Sequence, residues 1–231
     1  SLEETTFAII GLGLIGGSYA KALKNRNAHK IIGMDRNHIV SLMAKDEGYI
    51  TDIADEDPSL LQGADIIICA MYPGAFVSFV KDHVKYFKKD VLLTDVMGIK
   101  GSIPDEIDRL LGPEMDFVPA HPMAGREGKG YGQSTSRIFE GANFIVIKRR
   151  LLIIKHLNLF WNNIQSIVNA ILCSEFLPFQ HSGLEHVTSP SHAIENCIST
   201  IHDGFTVLTT KYGCCRNIKT CTNIKAWFHW F

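Results

Sequence analysis

His121 is the residue of this sequence that most directly suggests a chemical reaction. It opens the segment 121–125, in which a proline fixes the turn and a glycine permits an abrupt change of chain direction. An imidazole with an ordinary pKa near ~6.5 can accept a hydrogen bond or a proton from a substrate hydroxyl at neutral pH. Loop histidines are also often structural or solvated, so the residue taken alone leaves both roles open.

A glycine-rich stretch near the start of the chain indicates a second kind of chemistry, the binding of an anion. An apolar run ends at Gly11 and is followed by Gly13 and Gly16, after which apolar residues recur with helical spacing. In such a strand, turn and helix, the N–H groups of the first helical residues, Leu14 and Ile15, face an anion. We predict that this anion is the pyrophosphate of a dinucleotide. A glycine-rich turn in some other α/β protein is the alternative.

An acidic residue after the next apolar run indicates which dinucleotide is bound. Asp35 follows the predicted strand 30–34 and lies 19 residues beyond Gly16. A carboxylate at this place can accept hydrogen bonds from the adenosine ribose and repels a 2′-phosphate, which favours NAD. Arg36 could instead pair with a 2′-phosphate, so NADP remains the alternative cofactor.

Apolar strands alternate with amphipathic helices from residue 5 to about residue 120. This alternation predicts an α/β fold with a doubly wound parallel sheet of the Rossmann type. A strand over 117–120 is expected to deliver His121 to the edge of the sheet where ligands bind. A helix that starts at Asn37 is expected to turn four apolar residues inward, namely Ile39, Val40, Leu42 and Met43.

The continuous apolar run 64–70 predicts a parallel strand that is buried on both faces. Ligands of doubly wound sheets lie beyond the carboxyl ends of the strands. We therefore expect the cofactor to be bordered by the residues at the end of this run, which are Ala70, Met71, Tyr72 and Pro73.

Composition argues against several functional classes. The chain has 231 residues, 46% of them hydrophobic and 20% charged, and its formal net charge is −1, so no basic surface for nucleic acid is expected. Polar residues interrupt the apolar segment 151–170, which therefore fails as a membrane span, and no secretory signal is recognisable. The six cysteines have neither metal-site spacing nor the density of a disulfide scaffold. We expect a cytoplasmic protein with a small-molecule substrate and no metal.

Three segments carry a resemblance to a known family. Residues 11–18, 93–100 and 121–125 occur in the order and spacing of the bacterial prephenate dehydrogenase family, and the chain resembles that family over about residues 5–148. The resemblance implies NAD-dependent oxidative decarboxylation of prephenate to 4-hydroxyphenylpyruvate, in tyrosine biosynthesis, with His121 as the catalytic histidine. Many members have a serine where this chain has Gly98, so we expect a water or a backbone group to orient His121.

The resemblance also implies how the chain is divided. Residues 1–150 are expected to form the NAD-binding domain, and 151–231 a smaller, mainly helical domain, truncated or atypical, that covers the substrate and forms a homodimer. The arginine-bearing helix that should bind the substrate carboxylates is not recognisable. The residues expected on the substrate side are Gly125, Arg126, Glu127 and His192.

Three other functions remain open at this stage. Arogenate is an alternative substrate, because it differs from prephenate only in the side chain distant from the hydride. A 3-hydroxyacid dehydrogenase would need a catalytic lysine in a helical second domain, for which the sequence offers no convincing candidate. The chain could also be an NAD-binding module without turnover.

Overall fold

A computed structural model describes residues 2–125, 127–142 and 144–146, together with 156, 159, 163, 198–201 and 205–208. Within these ranges no helix is both long and apolar enough to cross a membrane. Among the same residues, no group of three or more His, Cys, Asp or Glu side chains is placed to hold a metal ion.

The larger part of the fold is a six-stranded sheet in which every neighbouring pair of strands is parallel, with the strand order β3-β2-β1-β4-β5-β6. Its strands are β1 (Thr6–Ile10), β2 (Lys30–Met34), β3 (Asp52–Ile53), β4 (Ile66–Cys69), β5 (Leu92–Asp95) and β6 (Asp116–Val118). The connecting helices are α1 (Leu14–Lys24), α2 (His38–Asp46), α3 (Pro73–His83) and α4 (Ile103–Leu110). This strand order confirms the predicted Rossmann-type sheet.

Both faces of the sheet are buried, which explains the continuous apolar runs in its strands. Phe7 and Ile9 of β1 lie in one hydrophobic core together with residues of α1 and α2. Ala8 and Ile10, the alternate residues of the same strand, lie in a second core together with residues of α3 and α4. Since successive side chains of a strand point to opposite faces, a strand covered by helices on both sides requires apolar residues at every position.

A second, smaller sheet adjoins the first and contains His121. Its order is β7-β8-β10-β9, with antiparallel pairs, and its strands are β7 (Ala120–Pro122), β8 (Phe144–Val146), β9 (Ile198–Ile201) and β10 (Phe205–Leu208). The sequence predicts one strand over 117–120, whereas the structure divides this stretch between β6 and β7 at Pro119. Proline has no N–H to donate, so the division at this residue is physically reasonable.

The segment after residue 150 is described at only a few positions. His156, Leu159 and Asn163 are helical and lie within the predicted helix 151–170. The buried His156 contacts the first sheet, since its Nδ1 lies 2.7 Å from Asp116 Oδ2 and its Nε2 lies 2.9 Å from the carbonyl oxygen of Asp90. Strands β9 and β10 lie further along a segment that the sequence predicts to be mainly helical.

The predicted orientation of α2 is wrong. Its buried residues are Ser41 and Ala44, whereas three of the four apolar residues expected to face inward, Ile39, Leu42 and Met43, are exposed. The Ser41 hydroxyl donates a hydrogen bond to Asp55 Oδ1 at 3.1 Å, across the β2–α2–β3 connection. This polar contact and the packing of Ala44 in the core hold the helix in a rotation that its apolar pattern does not predict.

We predict that Gly16→Ala strongly destabilises the domain, because a Cβ atom built on Gly16 overlaps the carbonyl oxygen of Gly11. The Gly11 carbonyl is a backbone group and a Cβ atom is bonded directly to the backbone, so no change of side-chain rotamer can relieve the contact. The free energy of unfolding should fall by at least the ~1–3 kcal/mol typical of overpacking, as measured by urea denaturation. Gly63→Ala is the matched control, since its Cβ would meet no atom within 4 Å in the part of the chain that the structure describes. Equal stability of the two variants would contradict this account.

Candidate functional site

The carboxyl ends of four central strands lie at one level of the sheet. Ile10 pairs with Met34 on one side and with Cys69 on the other, and Cys69 pairs in turn with Asp95. The residues that follow these strands therefore share one edge, which includes the crevice between β1 and β4 where the strand order reverses. Ligands of doubly wound folds bind at this kind of switch point.

The glycine turn between β1 and α1 lies in this crevice. Gly11 has φ +87°, a conformation that side-chain-bearing residues rarely adopt, and a Cβ there would lie 2.5 Å from the carbonyl oxygen of Ala70. Gly13, the N-cap of α1, has no side chain that could accept a hydrogen bond from an N–H group of the first turn. A Cβ on Gly13 would meet no atom of the described residues within 4 Å, so the backbone here is open to a ligand. The N–H groups of Leu14 and Ile15 belong to the first helical turn, which offers donors to an anion.

The Asp35 side chain is fixed beside the same turn. Its Oδ2 accepts a hydrogen bond from the N–H of Leu12 at 2.7 Å, and its Oδ1 accepts one from the N–H of Asn37 at 2.8 Å. The N–H of Asp35 in turn donates to Asp55 Oδ1 at 2.8 Å. A half-buried carboxylate held in this way retains acceptor capacity for ribose hydroxyls, while the adjacent Arg36 is exposed. The glycine turn and this acid fit the donor and acceptor pattern of an adenine dinucleotide.

The segment predicted to border the cofactor lies where β4 ends. The N–H of Ala70 donates to the carbonyl oxygen of Ile10 at 2.7 Å, which places Ala70 against the glycine turn. Met71 is half-buried, Tyr72 is 78% exposed, and Pro73 is the first residue of α3. The exposed ring of Tyr72 is therefore available to a ligand or to another part of the protein.

His121 lies in β7 with its imidazole turned toward the loop that follows β5. Its Nδ1 is 2.7 Å from the carbonyl oxygen of Val96, which can only accept, so Nδ1 carries the proton. Nε2 then has a lone pair, and it makes no hydrogen bond to any residue that the structure describes. A Cβ built on Gly98 would lie 3.4 Å from Nε2. The backbone carbonyl of Val96 thus orients His121 as expected, and the missing side chain of Gly98 leaves Nε2 open.

The environment of His121 favours the neutral imidazole. Burial lowers its pKa below the ordinary value of 6.5, and the positive charge of Lys100 acts in the same direction. The hydrogen bond to Val96 and the charge of Asp95 oppose this shift but do not outweigh it. A neutral imidazole with a protonated Nδ1 can accept a proton at Nε2, which is the requirement for a general base.

A buried ion pair behind His121 is a feature that sequence reasoning missed as part of the site. Asp95 ends β5 and is 1% exposed, and Lys100, which is 5% exposed, donates a hydrogen bond from Nζ to Asp95 Oδ2. Burial raises the pKa of Asp95 and lowers that of Lys100, and the attraction between the two charges opposes both shifts. The charge of Asp95 at the end of a predicted buried strand was the available signal.

The residues expected on the substrate side are only partly described. Gly125 and Glu127 are exposed on the segment that leaves β7, close in sequence to His121. Arg126 and His192 lie outside the described residues, so their expected roles stay predictions.

The sequence matches a known family over more than half of its length. Residues 19–164 match the family described as "Prephenate dehydrogenase, nucleotide-binding domain". The matched range contains Asp35 and His121 and begins after the glycine turn.

Two relatives and one solved structure illustrate the similarity. Prephenate dehydrogenase of Bacillus subtilis is 34% identical over 145 residues, which are 62% of this chain and 39% of that protein. Prephenate dehydrogenase of Lactococcus lactis is 32% identical over 144 residues, or 60% of this chain and 39% of that protein. In both comparisons, therefore, the matched region spans about two fifths of the relative's length.

The solved structure is that of prephenate dehydrogenase from A. aeolicus in complex with hydroxyphenyl propionate and NAD+. It is 27% identical to this chain with a TM-score of 0.65, and the match covers 72% of this chain and 58% of that one.

We predict that the imidazole of His121 titrates below pH 6.5, because burial disfavours its charged form. Long-range ¹H–¹⁵N NMR of histidine-labelled protein measures this pKa, and the resonance that disappears in His121→Asn assigns it. The unfolded chain takes up the proton first, so this residue's contribution to the free energy of unfolding decreases as the pH falls below 6.5. A pKa at or above 6.5 would contradict the environment described here.

Proposed function

The chain belongs to the prephenate dehydrogenase family, and we propose that it binds NAD and converts prephenate to 4-hydroxyphenylpyruvate with loss of carbon dioxide. This reaction belongs to tyrosine biosynthesis. The observation that carries the proposal is the geometry of the His121 imidazole, whose Nδ1 is bonded to the Val96 carbonyl and whose open Nε2 lies beside Gly98. The loop that contains Gly98 follows β5, on the same sheet edge as the glycine turn and Asp35. A base and a dinucleotide site on one edge are the two elements that oxidation of an alcohol requires.

In the proposed cofactor site, each element binds a different part of the dinucleotide. The first-turn N–H groups of Leu14 and Ile15 hold the pyrophosphate, which can approach closely because Gly13 has no side chain. Asp35, fixed by Leu12 and Asn37, accepts hydrogen bonds from the adenosine ribose. The A. aeolicus enzyme, whose solved structure contains NAD+, supports NAD as the ligand.

In the proposed reaction, the protein's residues position the substrate and remove a proton. NAD, when bound, supplies the hydride acceptor. His121 Nε2 accepts the proton of the ring hydroxyl, while the Nδ1–H bond to Val96 keeps the imidazole in the tautomer that this step needs. The oxidised ring becomes aromatic when it loses carbon dioxide, so the second step needs little further assistance. Most of the catalytic effect then comes from alignment of the hydroxyl-bearing carbon and polarisation of its O–H bond.

The proposed substrate carries two carboxylates and therefore needs cationic partners. Charge-assisted hydrogen bonds contribute about 1.5–3 kcal/mol each, so loss of two would weaken binding by roughly 10²–10⁴-fold. We propose Arg126 as one such partner, with Gly125, Glu127 and His192 also on the substrate side. We further propose that residues 1–150 form the NAD-binding domain, and that 151–231 cover the substrate and form a homodimer in the cytoplasm. Analytical ultracentrifugation of the chain tests the dimer.

A turnover assay with the full chain tests the proposed function. The protein is incubated with NAD and prephenate, and NADH formation is followed by absorbance, with arogenate in a parallel reaction. We expect NADH to form with prephenate. NADH formation only with arogenate would assign the other substrate. Binding of NAD without NADH formation from either compound would contradict the proposal and indicate a non-catalytic NAD-binding module.

Asp35→Ser should weaken NAD binding and raise the relative affinity for NADP. The substitution removes the charge that repels a 2′-phosphate and leaves the neighbouring Arg36 available to pair with it. Isothermal titration calorimetry with NAD and with NADP measures the ratio of the two affinities. Asp46→Ser, which removes an exposed carboxylate at the end of α2, is the matched control and should leave the ratio unchanged. If the unmodified chain already binds NADP more tightly, the role given to Asp35 is wrong.

His121→Asn should lower turnover by roughly 10²–10⁴-fold, the usual range for a positioned acid–base group, with little change in NAD affinity. Steady-state kinetics and a cofactor titration measure the two quantities. His83→Asn provides a matched control, because His83 Nδ1 also contacts a backbone carbonyl, that of Phe79 at 2.9 Å, outside the site. Equal turnover of the two variants would remove His121 from the mechanism.

A further inference from the structure

The buried ion pair behind His121 holds together two segments that are distant in sequence. Asp95 Oδ2 accepts hydrogen bonds from Lys100 Nζ and from the N–H of Met97, the latter at 3.1 Å. Asp95 Oδ1 accepts the N–H of Ala120 at 3.0 Å, and Lys100 Nζ donates to the carbonyl oxygen of Ala120 at 2.8 Å. Both backbone polar groups of Ala120, the residue immediately before His121, are thus bonded to this pair.

The same contacts fix the group that orients the imidazole. Val96 lies between Asp95 and Met97, whose side chain and N–H are joined by one of these hydrogen bonds. The carbonyl of Val96 accepts the Nδ1–H of His121 at 2.7 Å. The ion pair therefore determines the position of the histidine backbone, through Ala120, and the position of its hydrogen-bond acceptor, through Met97.

Stability alone is a poor explanation for two charges at this position. Removing a carboxylate and an ammonium from water is costly, and a well-packed apolar pair of similar volume is often as stable or more stable. The other residues of β5 are buried without any charge: Leu92 and Leu93 are apolar, and the Thr94 hydroxyl donates a hydrogen bond to the carbonyl oxygen of Val118 at 2.7 Å. The strand itself therefore needs no charge at its end. An ion pair retained in such surroundings indicates a requirement for fixed geometry.

We propose that Asp95 and Lys100 are positioning residues for His121: they hold Val96 and Ala120 so that the imidazole keeps Nδ1 protonated and presents Nε2 on the side of Gly98. As far as turnover is concerned, this inference rests on the proposed function. The electrostatics are consistent with it, since Lys100 lowers and Asp95 raises the pKa of His121, and the opposed effects leave burial as the largest influence.

A charge-neutral double variant, Asp95→Asn/Lys100→Met, tests the proposal in the full chain. The double variant leaves no unpaired buried charge. It also removes one hydrogen bond to the backbone, because the amide nitrogen that replaces a carboxylate oxygen of Asp95 cannot accept a hydrogen bond from an N–H group. The matched control is Asp65→Asn/Lys88→Met, which removes an ion pair between two residues that lie before the amino ends of β4 and β5. In this pair Lys88 Nζ lies 2.6 Å from Asp65 Oδ1, and Asp65 Oδ2 accepts a hydrogen bond from the N–H of Thr6. Thr6 begins β1, so the pair lies at the end of that strand that is remote from the glycine turn.

The primary readout is the tautomer of His121, measured by long-range ¹H–¹⁵N NMR. We expect a single Nδ1–H tautomer in the parent and in the control variant, and a mixture of tautomers in Asp95→Asn/Lys100→Met. Turnover should fall by about 10- to 100-fold, as for partners that orient ligating histidines, mainly in kcat. NAD affinity should stay within about twofold, because the hydrogen bonds of Asp35 are not altered. Circular dichroism confirms that each variant is folded.

An unchanged Nδ1–H tautomer in the double variant would overturn the proposal. If that variant does not fold, Asp95→Asn alone, which preserves the shape of the side chain, is measured in the same way, with the same decisive result. A parent chain that forms no NADH would contradict the proposed function. The tautomer measurement would still decide whether Asp95 and Lys100 position His121.

Discussion

The close approach of three backbone segments at the end of β1 is the constraint on which the rest of the site depends. Gly16 of α1 packs directly on the carbonyl of Gly11, and Gly11 packs on the carbonyl of Ala70 after β4. No side chain fits at either glycine. Since β1 and β4 are neighbouring central strands, this contact sets the direction of α1 and brings its first turn to the switch-point crevice, the place where doubly wound folds bind their ligands.

In the part of the site around His121, burial is the largest influence on the imidazole's pKa. Burial lowers the pKa of His121 and so favours the neutral imidazole, and one backbone carbonyl decides which nitrogen carries the proton. The charges nearby, on Asp95 and Lys100, are paired with each other and bonded to the backbone, so they fix geometry more than they contribute a field. The glycine turn with Asp35 and the surroundings of His121 are thus stabilised by different interactions.

Local features of the sequence predict much of this arrangement. The strand, turn and helix around Gly11 are predicted by an apolar run broken by glycines. The position of Asp35 beside that turn is predicted by its distance from the turn in the sequence. The expected backbone partner of His121, in place of a side chain at Gly98, is found, but His121 lies inside β7 and not just beyond the end of a strand. Each of these depends on residues that are neighbours in sequence or on the regular order of a doubly wound sheet.

The features that sequence reasoning missed depend on tertiary contacts. The rotation of α2 about its axis is set by the hydrogen bond from Ser41 to Asp55, which the spacing of apolar residues does not predict. Strand β7 leaves the parallel sheet to pair with β8, a segment more than twenty residues further along the chain. The Asp95–Lys100 pair is recognisable only when both side chains are seen to be buried, because an acid and a lysine five residues apart are more often solvated.

A crystal structure of the chain with NAD+ and a substrate analogue tests the central claim most directly. The account predicts the pyrophosphate against the N–H groups of Leu14 and Ile15, the adenosine ribose on Asp35, and the analogue hydroxyl within hydrogen-bond distance of His121 Nε2, beside Gly98. A dinucleotide bound away from the glycine turn would contradict it. So would an analogue hydroxyl held by a group other than His121.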